Sequence, residues 1–195
     1  MAVPLNEYEI KLLDVVRVAR SLRIDQAFLV NPGLKPKVNQ AVIQYLYKNG
    51  YIFFSKERDY LLARPDFKPD KRMTDAMWPI LRQITNIDTA QLYHPYGPST
   101  IGMVKQKGCF EFVAANNEKE LYEAAKELDE RYKTHHYKVG DTYFQYVFLV
   151  KNEEAILDFP EEIKAPHVFG LLDYRNGLSL MQKPEISFYH LQVTP

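Results

Sequence analysis

One segment constrains this chain more than any other: a helical run closed at both ends and followed at once by a hairpin. Asn31-Pro32-Gly33 interrupts the preceding pattern with the strongest backbone breakers. Pro36 then opens a helix, because its fixed φ and missing N–H suit a first turn. Asn49-Gly50 closes it, since glycine readily takes the left-handed geometry that ends helices. Between these marks Val38, Ala41, Val42, Tyr45 and Leu46 recur at helical spacing, which predicts a helix over 36–48 with that stripe buried. The opposite face then carries Lys37, Gln40, Gln44, Tyr47 and Lys48, with Asn39 and Ile43 at the edges. Next, Tyr51-Ile52-Phe53-Phe54 and Tyr60-Leu61-Leu62-Ala63 flank five polar residues, Ser55 to Asp59, which is the pattern of a β-hairpin.

Two helices precede this segment. Asn6-Glu7-Tyr8-Glu9 matches a capping box, and Ile10, Leu13 and Val16, with Leu12, Val15 and Ala19 beside them, keep a helical period. Ser21-Leu22-Arg23 breaks it. A short helix capped by Asp25 is expected to run to Val30. Helix, short helix, turn, helix, hairpin is the order of a winged helix-turn-helix. In that architecture the last helix enters the major groove and its polar side chains meet base edges. Lys37, Asn39, Gln40 and Gln44 are therefore expected at the groove. Lys35 and Lys48 are placed for phosphates, and Lys56 and Arg58, at the hairpin tip, for backbone or minor groove.

Charge supports a division of labour. The chain has 195 residues and no net charge, yet residues 1–72 hold 13 Lys and Arg against 8 Asp and Glu, a balance of +5 that the remainder reverses. A basic front and an acidic back suggest two units with different partners. The expected organisation is a winged helix-turn-helix over 1–64, a linker over 65–73 with Pro65 and Pro69, and a small α/β domain over 74–195.

In that second domain Thr74 is expected to cap a helix to about Thr85, with Pro79 in its first turns. Gln91 to His94 is a short strand candidate. Thr100 to Lys105 and Phe110 to Ala114 surround Gln106-Lys107-Gly108-Cys109 as a hairpin. A second capping box, Asn117 to Glu120, begins a helix to about Tyr132, whose acidic run Glu118 to Glu130 reads as its wet face. Tyr143 to Val150 is the strongest strand, and a short helix follows over Glu153 to Leu157. His167 to Asp173 and Leu178 to Gln182 then form a hairpin turning on Arg175-Asn176-Gly177, and Pro184 to Pro195 reads as a tail. The expected class is α+β, the second domain having a mixed sheet.

That order is similar to restriction-endonuclease-like domains, whose chemistry needs an Asp and a Glu-x-Lys pair to hold a metal and assist water. The corresponding strand carries Glu111-Phe112-Val113, so the lysine is missing. His135-His136 lacks ligand partners at metal spacing, and Cys109 has no evident histidine. No glycine loop for phosphate occurs. The expectation is a protein without catalytic residues, cofactor or metal. A lone cysteine makes the cytoplasm the default compartment, the first residues carry no signal segment, and no run approaches the roughly 20 apolar residues of a membrane helix.

Several segments carry a resemblance: Leu46-x-x-Asn49-Gly50-Tyr51-Ile52, Tyr60-Leu61-Leu62-Ala63-Arg64, Ala76-Met77-Trp78-Pro79-Ile80-Leu81, Cys109-Phe110-Glu111-Phe112 and Tyr146-Val147-Phe148-Leu149-Val150. On these the chain resembles the replication-relaxation family, winged-helix proteins of bacterial plasmids and integrative elements, and its relatives in Gram-positive mobile elements. The resemblance implies a DNA-linked role in replication, transfer or regulation of such an element. The resulting expectation is a non-enzymatic protein that binds double-stranded DNA, with the α/β domain serving a homodimer or another partner. The rivals are a winged-helix adaptor for proteins and a divergent metal-dependent nuclease.

Overall fold

The computed structural model describes residues 4–83, 88–106, 108–134, 143–174 and 184–189. It is α+β: the described residues form six α-helices, a three-stranded antiparallel sheet and a six-stranded mixed sheet. The chain divides into two compact units, Met1–Thr89 and Ala90–Pro195.

In the first unit, α1 (Glu7–Ala19) starts on the expected capping box. Asn6 Oδ1 accepts the amides of Tyr8 and Glu9, and Glu9 Oε2 accepts the amide of Asn6 at 2.8 Å. These bonds satisfy donors that a helix start otherwise leaves open. β1 (Ser21–Arg23) is a strand that three residues are too few to announce by period. α2 (Ile24–Val30) begins one residue before Asp25, which pairs with Arg23 at 2.8 Å. α3 (Pro36–Lys48) follows as the sequence predicts, and β2 (Phe53–Phe54) and β3 (Tyr60–Leu62) form the expected hairpin with shorter strands, Tyr51, Ile52 and Ala63 lying outside the ladder. β3 is the middle strand of the small sheet. Leu61, fully buried, faces Leu22 of β1 and Phe54 of β2 in the two antiparallel registers.

α4 (Lys71–Gln83) belongs to this unit rather than to the second domain, and residues 65–73 do not separate the two. Asp70 caps the helix, accepting the Arg72 amide at 2.9 Å, so the helix starts three residues before Thr74. Pro79 consequently lies in the helix interior. The helix packs on α2 and β1. Buried Gln26 donates from Nε2 to the Thr74 carbonyl at 2.8 Å, and the Asp70 amide donates to Ser21 Oγ at 3.0 Å. Polar bonds of this kind, drawn from residues far apart in sequence, are invisible to a local reading of Pro65 and Pro69.

The second unit is built on one sheet, in the order β4 (Leu92–Tyr93), β5 (Ile101–Lys105), β6 (Gly108–Val113), β7 (Tyr143–Val150), β8 (His167–Asp173), β9 (Glu185–Tyr189). β4, β5 and β6 form an antiparallel meander. α5 (Glu118–Thr134) then carries the chain across so that β7 lies parallel to β6. α6 (Glu154–Leu157) precedes β8, parallel to β7, and β9 returns antiparallel. A crossover helix is the usual means of joining parallel neighbours. β9 falls in the stretch expected to be a tail. The expected strand Leu178 to Gln182 and the Asn176-Gly177 turn lie outside the described residues. Pro184 is compatible with β9 because it precedes the ladder, where no amide is required of it. Cys109, expected in a turn, is paired within β6 opposite Val104. The core packs Phe148, Phe159 and Phe169 around the His167 ring, and Phe169 meets both Phe159 and His167 edge to face. The His167 Nδ1 lies 2.7 Å from the Ala165 carbonyl.

The acidic run of α5 is not uniformly wet. Asp129 is 2% exposed. Its Oδ1 accepts the amides of Lys164 and Ala165, each at 2.7 Å, and its Oδ2 meets Lys133 Nζ at 2.7 Å. Burial pushes this carboxyl up, but the Lys133 hydrogen bond and the two amides outweigh it, and the group sits below its ordinary range. One side chain thus ties α5 to the loop before β8. A folded-state value below the unfolded one gives stability that is full at neutral pH and is lost as pH falls below about 4 toward the folded value. Asp129→Ala should cost about 2–3 kcal/mol in urea unfolding at pH 7, because two buried amides lose their acceptor. The gap between wild type and Asp129→Asn should narrow as pH drops through that window.

Candidate nucleic-acid interface

α3 is positioned by both of its ends. Lys35 stands at the N-cap in extended geometry, and its carbonyl accepts the amides of Val38 and Asn39 at 2.9 and 3.1 Å. At the other end Gly50, at φ +75°, lets the chain reverse. The Gly50 amide reaches the Tyr47 carbonyl at 3.0 Å and the Tyr51 amide reaches the Leu46 carbonyl at 2.9 Å. These crossed bonds form a Schellman closure, which uses up carbonyls the helix end leaves open. Asn49 Nδ2 adds a bond to the Tyr45 carbonyl at 2.8 Å.

The rotation of the helix differs from the expected one. Asn39, Val42, Ile43 and Leu46 are buried, while Val38 is 45% exposed and Ala41 is also exposed. Residues 39, 42, 43 and 46 form as regular a helical stripe as the expected apolar set. Only the polar character of Asn39 conceals it. Asn39, 4% exposed, donates from Nδ2 to the Asn31 carbonyl at 3.3 Å, with the Phe28 and Leu34 carbonyls at 3.5 Å. It holds the turn between α2 and α3 against α3, and it is unavailable to a groove. This corrects its assignment as a base contact.

The other candidates do reach solvent. Lys35, Lys37, Gln40, Gln44, Lys48, Lys56 and Arg58 are all exposed. Between Asp25 and Glu57 the chain has no Asp or Glu, but it carries Lys35, Lys37, Lys48 and Lys56. None of these four lysines forms an ion pair with a described residue. Lys35, Lys37 and Lys48 have no acidic neighbour along the chain, whereas Lys56 and Arg58 alternate with Glu57 and Asp59 at the tip. A cation with no carboxylate beside it keeps more of its attraction for a phosphate.

The hairpin tip is shaped by its own side chains. Ser55 Oγ donates to Asp59 Oδ1 at 2.8 Å and accepts the Tyr60 amide at 3.1 Å, while the Arg58 amide reaches the Ser55 carbonyl at 3.0 Å. Arg58 adopts φ +60°, a left-handed geometry uncommon outside glycine. Its guanidinium lies 5.5 Å from the Phe54 ring centroid, and Phe54 meets Tyr47 of α3 edge to face at 4.8 Å. A cation–π contact and an aromatic pair thus link the tip to the exposed side of the helix. Val38, Ala41 and Phe54 join this surface without being foreseen from the sequence, because apolar side chains are assigned to a core by default.

A separate polar cluster occupies the second unit. Glu111 of β6 is 2% exposed. Ser99 Oγ donates to it at 2.7 Å, Tyr93 OH at 3.3 Å and Arg131 Nη2 at 3.4 Å. The Tyr93 hydroxyl also lies 3.0 Å from Cys109 Sγ. Burial, the Cys109 contact and the Glu111 charge all push the tyrosine hydroxyl up. Burial likewise pushes the Cys109 thiol up. The Tyr93 hydrogen bond opposes this, and the Glu111 charge adds to it. A thiol held in its protonated form is a poor nucleophile. His135, His136 and His190 lie outside the described residues. Among the described residues no group of three His, Cys, Asp or Glu side chains is placed to hold a metal ion, and no helix is long and apolar enough to cross a membrane.

No family model matches this chain, and no match was found among curated proteins or solved structures.

Asn39→Ala should lower the stability of the first unit by about 1–2 kcal/mol, the scale of a lost hydrogen bond at a buried site. Gln40→Ala, on an exposed position, should leave thermal unfolding within about 0.5 kcal/mol of wild type. Paired melting curves would check both.

Proposed function

We propose that the first unit is a winged helix-turn-helix and that the protein binds double-stranded DNA without catalysing a reaction on it. The order α1, β1, α2, α3, β2, β3, with β3 between β1 and β2, supports the architecture. In that architecture α3 is the groove helix and the β2–β3 hairpin is the wing. One observation carries the functional reading. From Gln26 through α3 and the ascending strand of the hairpin there is no carboxylate, and the lysines there are exposed and form no ion pair with a described residue. Lys35 and Lys48 flank the helix and Lys56 and Arg58 stand at the tip, which suits four contacts to phosphate.

The non-enzymatic part of the reading draws on Glu111. Its partners are one guanidinium and two hydroxyls, and residue 113 is valine where a nuclease would place lysine. Such a carboxylate serves packing better than metal chemistry. The acidic second unit is the proposed homodimer surface. β9 is the last strand of its sheet among the described residues and leaves Phe188 and Tyr189 44% and 37% exposed. A two-fold dimer would present two groove helices to paired half-sites. A role in a mobile element rests on the family resemblance alone.

Gel-shift titrations of the full chain on duplex DNA across a salt series test the proposal. With about four phosphate contacts, log affinity should fall against log salt with a slope between roughly −3 and −5, a loss of about 10²–10³ from 50 to 200 mM. Lys56→Ala with Arg58→Ala should weaken binding to all sequences alike and flatten the slope by about two. Absence of any shift at low salt would favour the adaptor reading. Metal-dependent nicking abolished by Glu111→Ala would favour the nuclease.

A further inference from the structure

The exposed face of α3 has a chemical order beyond a general liking for phosphate, and its meaning depends on the protein being a DNA binder as proposed. At 3.6 residues per turn Lys37, Ala41, Gln44 and Lys48 fall in one stripe, with Gln40 on one flank and Val38 on the other. The two lysines are about 16 Å apart along the axis, at the ends of the stripe. Between them lie two carboxamides and two small apolar side chains. The stretch has no arginine and no carboxylate. Val38 and Ala41 are exposed at positions whose spacing would have let them join the core, since Asn39 and Ile43 are buried in their place.

The major groove gives each base pair its own pattern. Guanine offers two acceptors that suit arginine or lysine, and cytosine offers an amine that suits a carboxylate. Adenine offers a donor beside an acceptor, which matches a carboxamide, and thymine offers a methyl group, which matches an apolar side chain. The middle of the α3 face lacks the first two types and holds the last two. Val38, Gln40 and Ala41 also sit in the first two turns, the part of a groove helix that meets base edges. We infer that α3 reads A·T base pairs in the major groove, with Gln40 and Gln44 on adenine edges and Val38 and Ala41 against thymine methyls. Lys37 and Lys48 frame the reading stripe at its two ends, so that Lys37, in the first turn, meets a phosphate or a guanine at the edge of the A·T run rather than within it.

Selection by the full-length chain from a duplex library with a randomised 12-bp centre tests this. The expected result is enrichment of sites with a run of A·T pairs. The selected duplex, remade with deoxyuridine for thymidine at single positions, loses only the methyl group. Affinity should then fall about fourfold at each contacted thymine. Val38→Ala should abolish that response at one position while unfolding at an unchanged temperature. Gln40→Ala with Gln44→Ala should reduce the preference for the selected site over a G·C-substituted site about tenfold or more. Sites centred on G·C, or deoxyuridine duplexes that bind as well as their parents, would overturn the A·T assignment and leave DNA binding standing. No binding to any library member at low salt would overturn both.

Discussion

The azimuth of α3 about its own axis decides what this protein presents to solvent. Four buried side chains set it, and one of them is polar. Asn39 takes a place among Val42, Ile43 and Leu46 because three backbone carbonyls around the preceding turn give its amide somewhere to donate. A buried carboxamide without such acceptors would cost more than its packing returns. With them it fixes the turn and the helix together. Had Val38 and Ala41 turned inward instead, the amide of Asn39 would face solvent and the apolar pair would be lost from the surface. The chemistry of the face therefore follows from an interior contact.

Much of the backbone course was legible in the sequence, for stated physical reasons. The capping box at Asn6, the proline start at Pro36 and the glycine stop at Gly50 act over three or four residues, and each lies where the residue types required it. The β2–β3 and β5–β6 hairpins were equally plain, since aromatic and aliphatic runs beside polar turns leave few other solutions. What stayed hidden depended on distant partners. β1 exists because Ser21 to Arg23 faces Tyr60 to Leu62 across the fold, and α4 belongs to the first unit because Gln26 and Ser21 hold its start. β9 was masked by Pro184, whose position outside the ladder cannot be known before the ladder is. Of the candidate site, the lysines, the glutamines and Arg58 were legible by type and placement, while Asn39 was misassigned because its polarity suggested solvent.

Buried charge in the second unit obeys a related rule. Asp129 and Glu111 both lie inside, yet each is satisfied differently. Asp129 takes two amides and a lysine and thereby joins a helix to a loop. Glu111 takes two hydroxyls and a guanidinium and joins the meander to α5. Both are acceptors surrounded by donors, the condition under which a carboxylate tolerates a low dielectric. Each buried carboxylate also engages a cation, Lys133 for Asp129 and Arg131 for Glu111, so the net acidity of this unit is carried by its remaining side chains.

The stack from Arg58 through Phe54 to Tyr47 has a consequence for how the hairpin behaves on encounter. A charged loop of five residues would ordinarily sample many shapes and surrender that freedom when it docks. Here the Ser55–Asp59 bond shapes the loop from within and the aromatic pair moors it to the helix from outside. Ribbon and helix are therefore held as one preorganised piece, which under the proposed DNA-binding role lowers the entropic cost of docking.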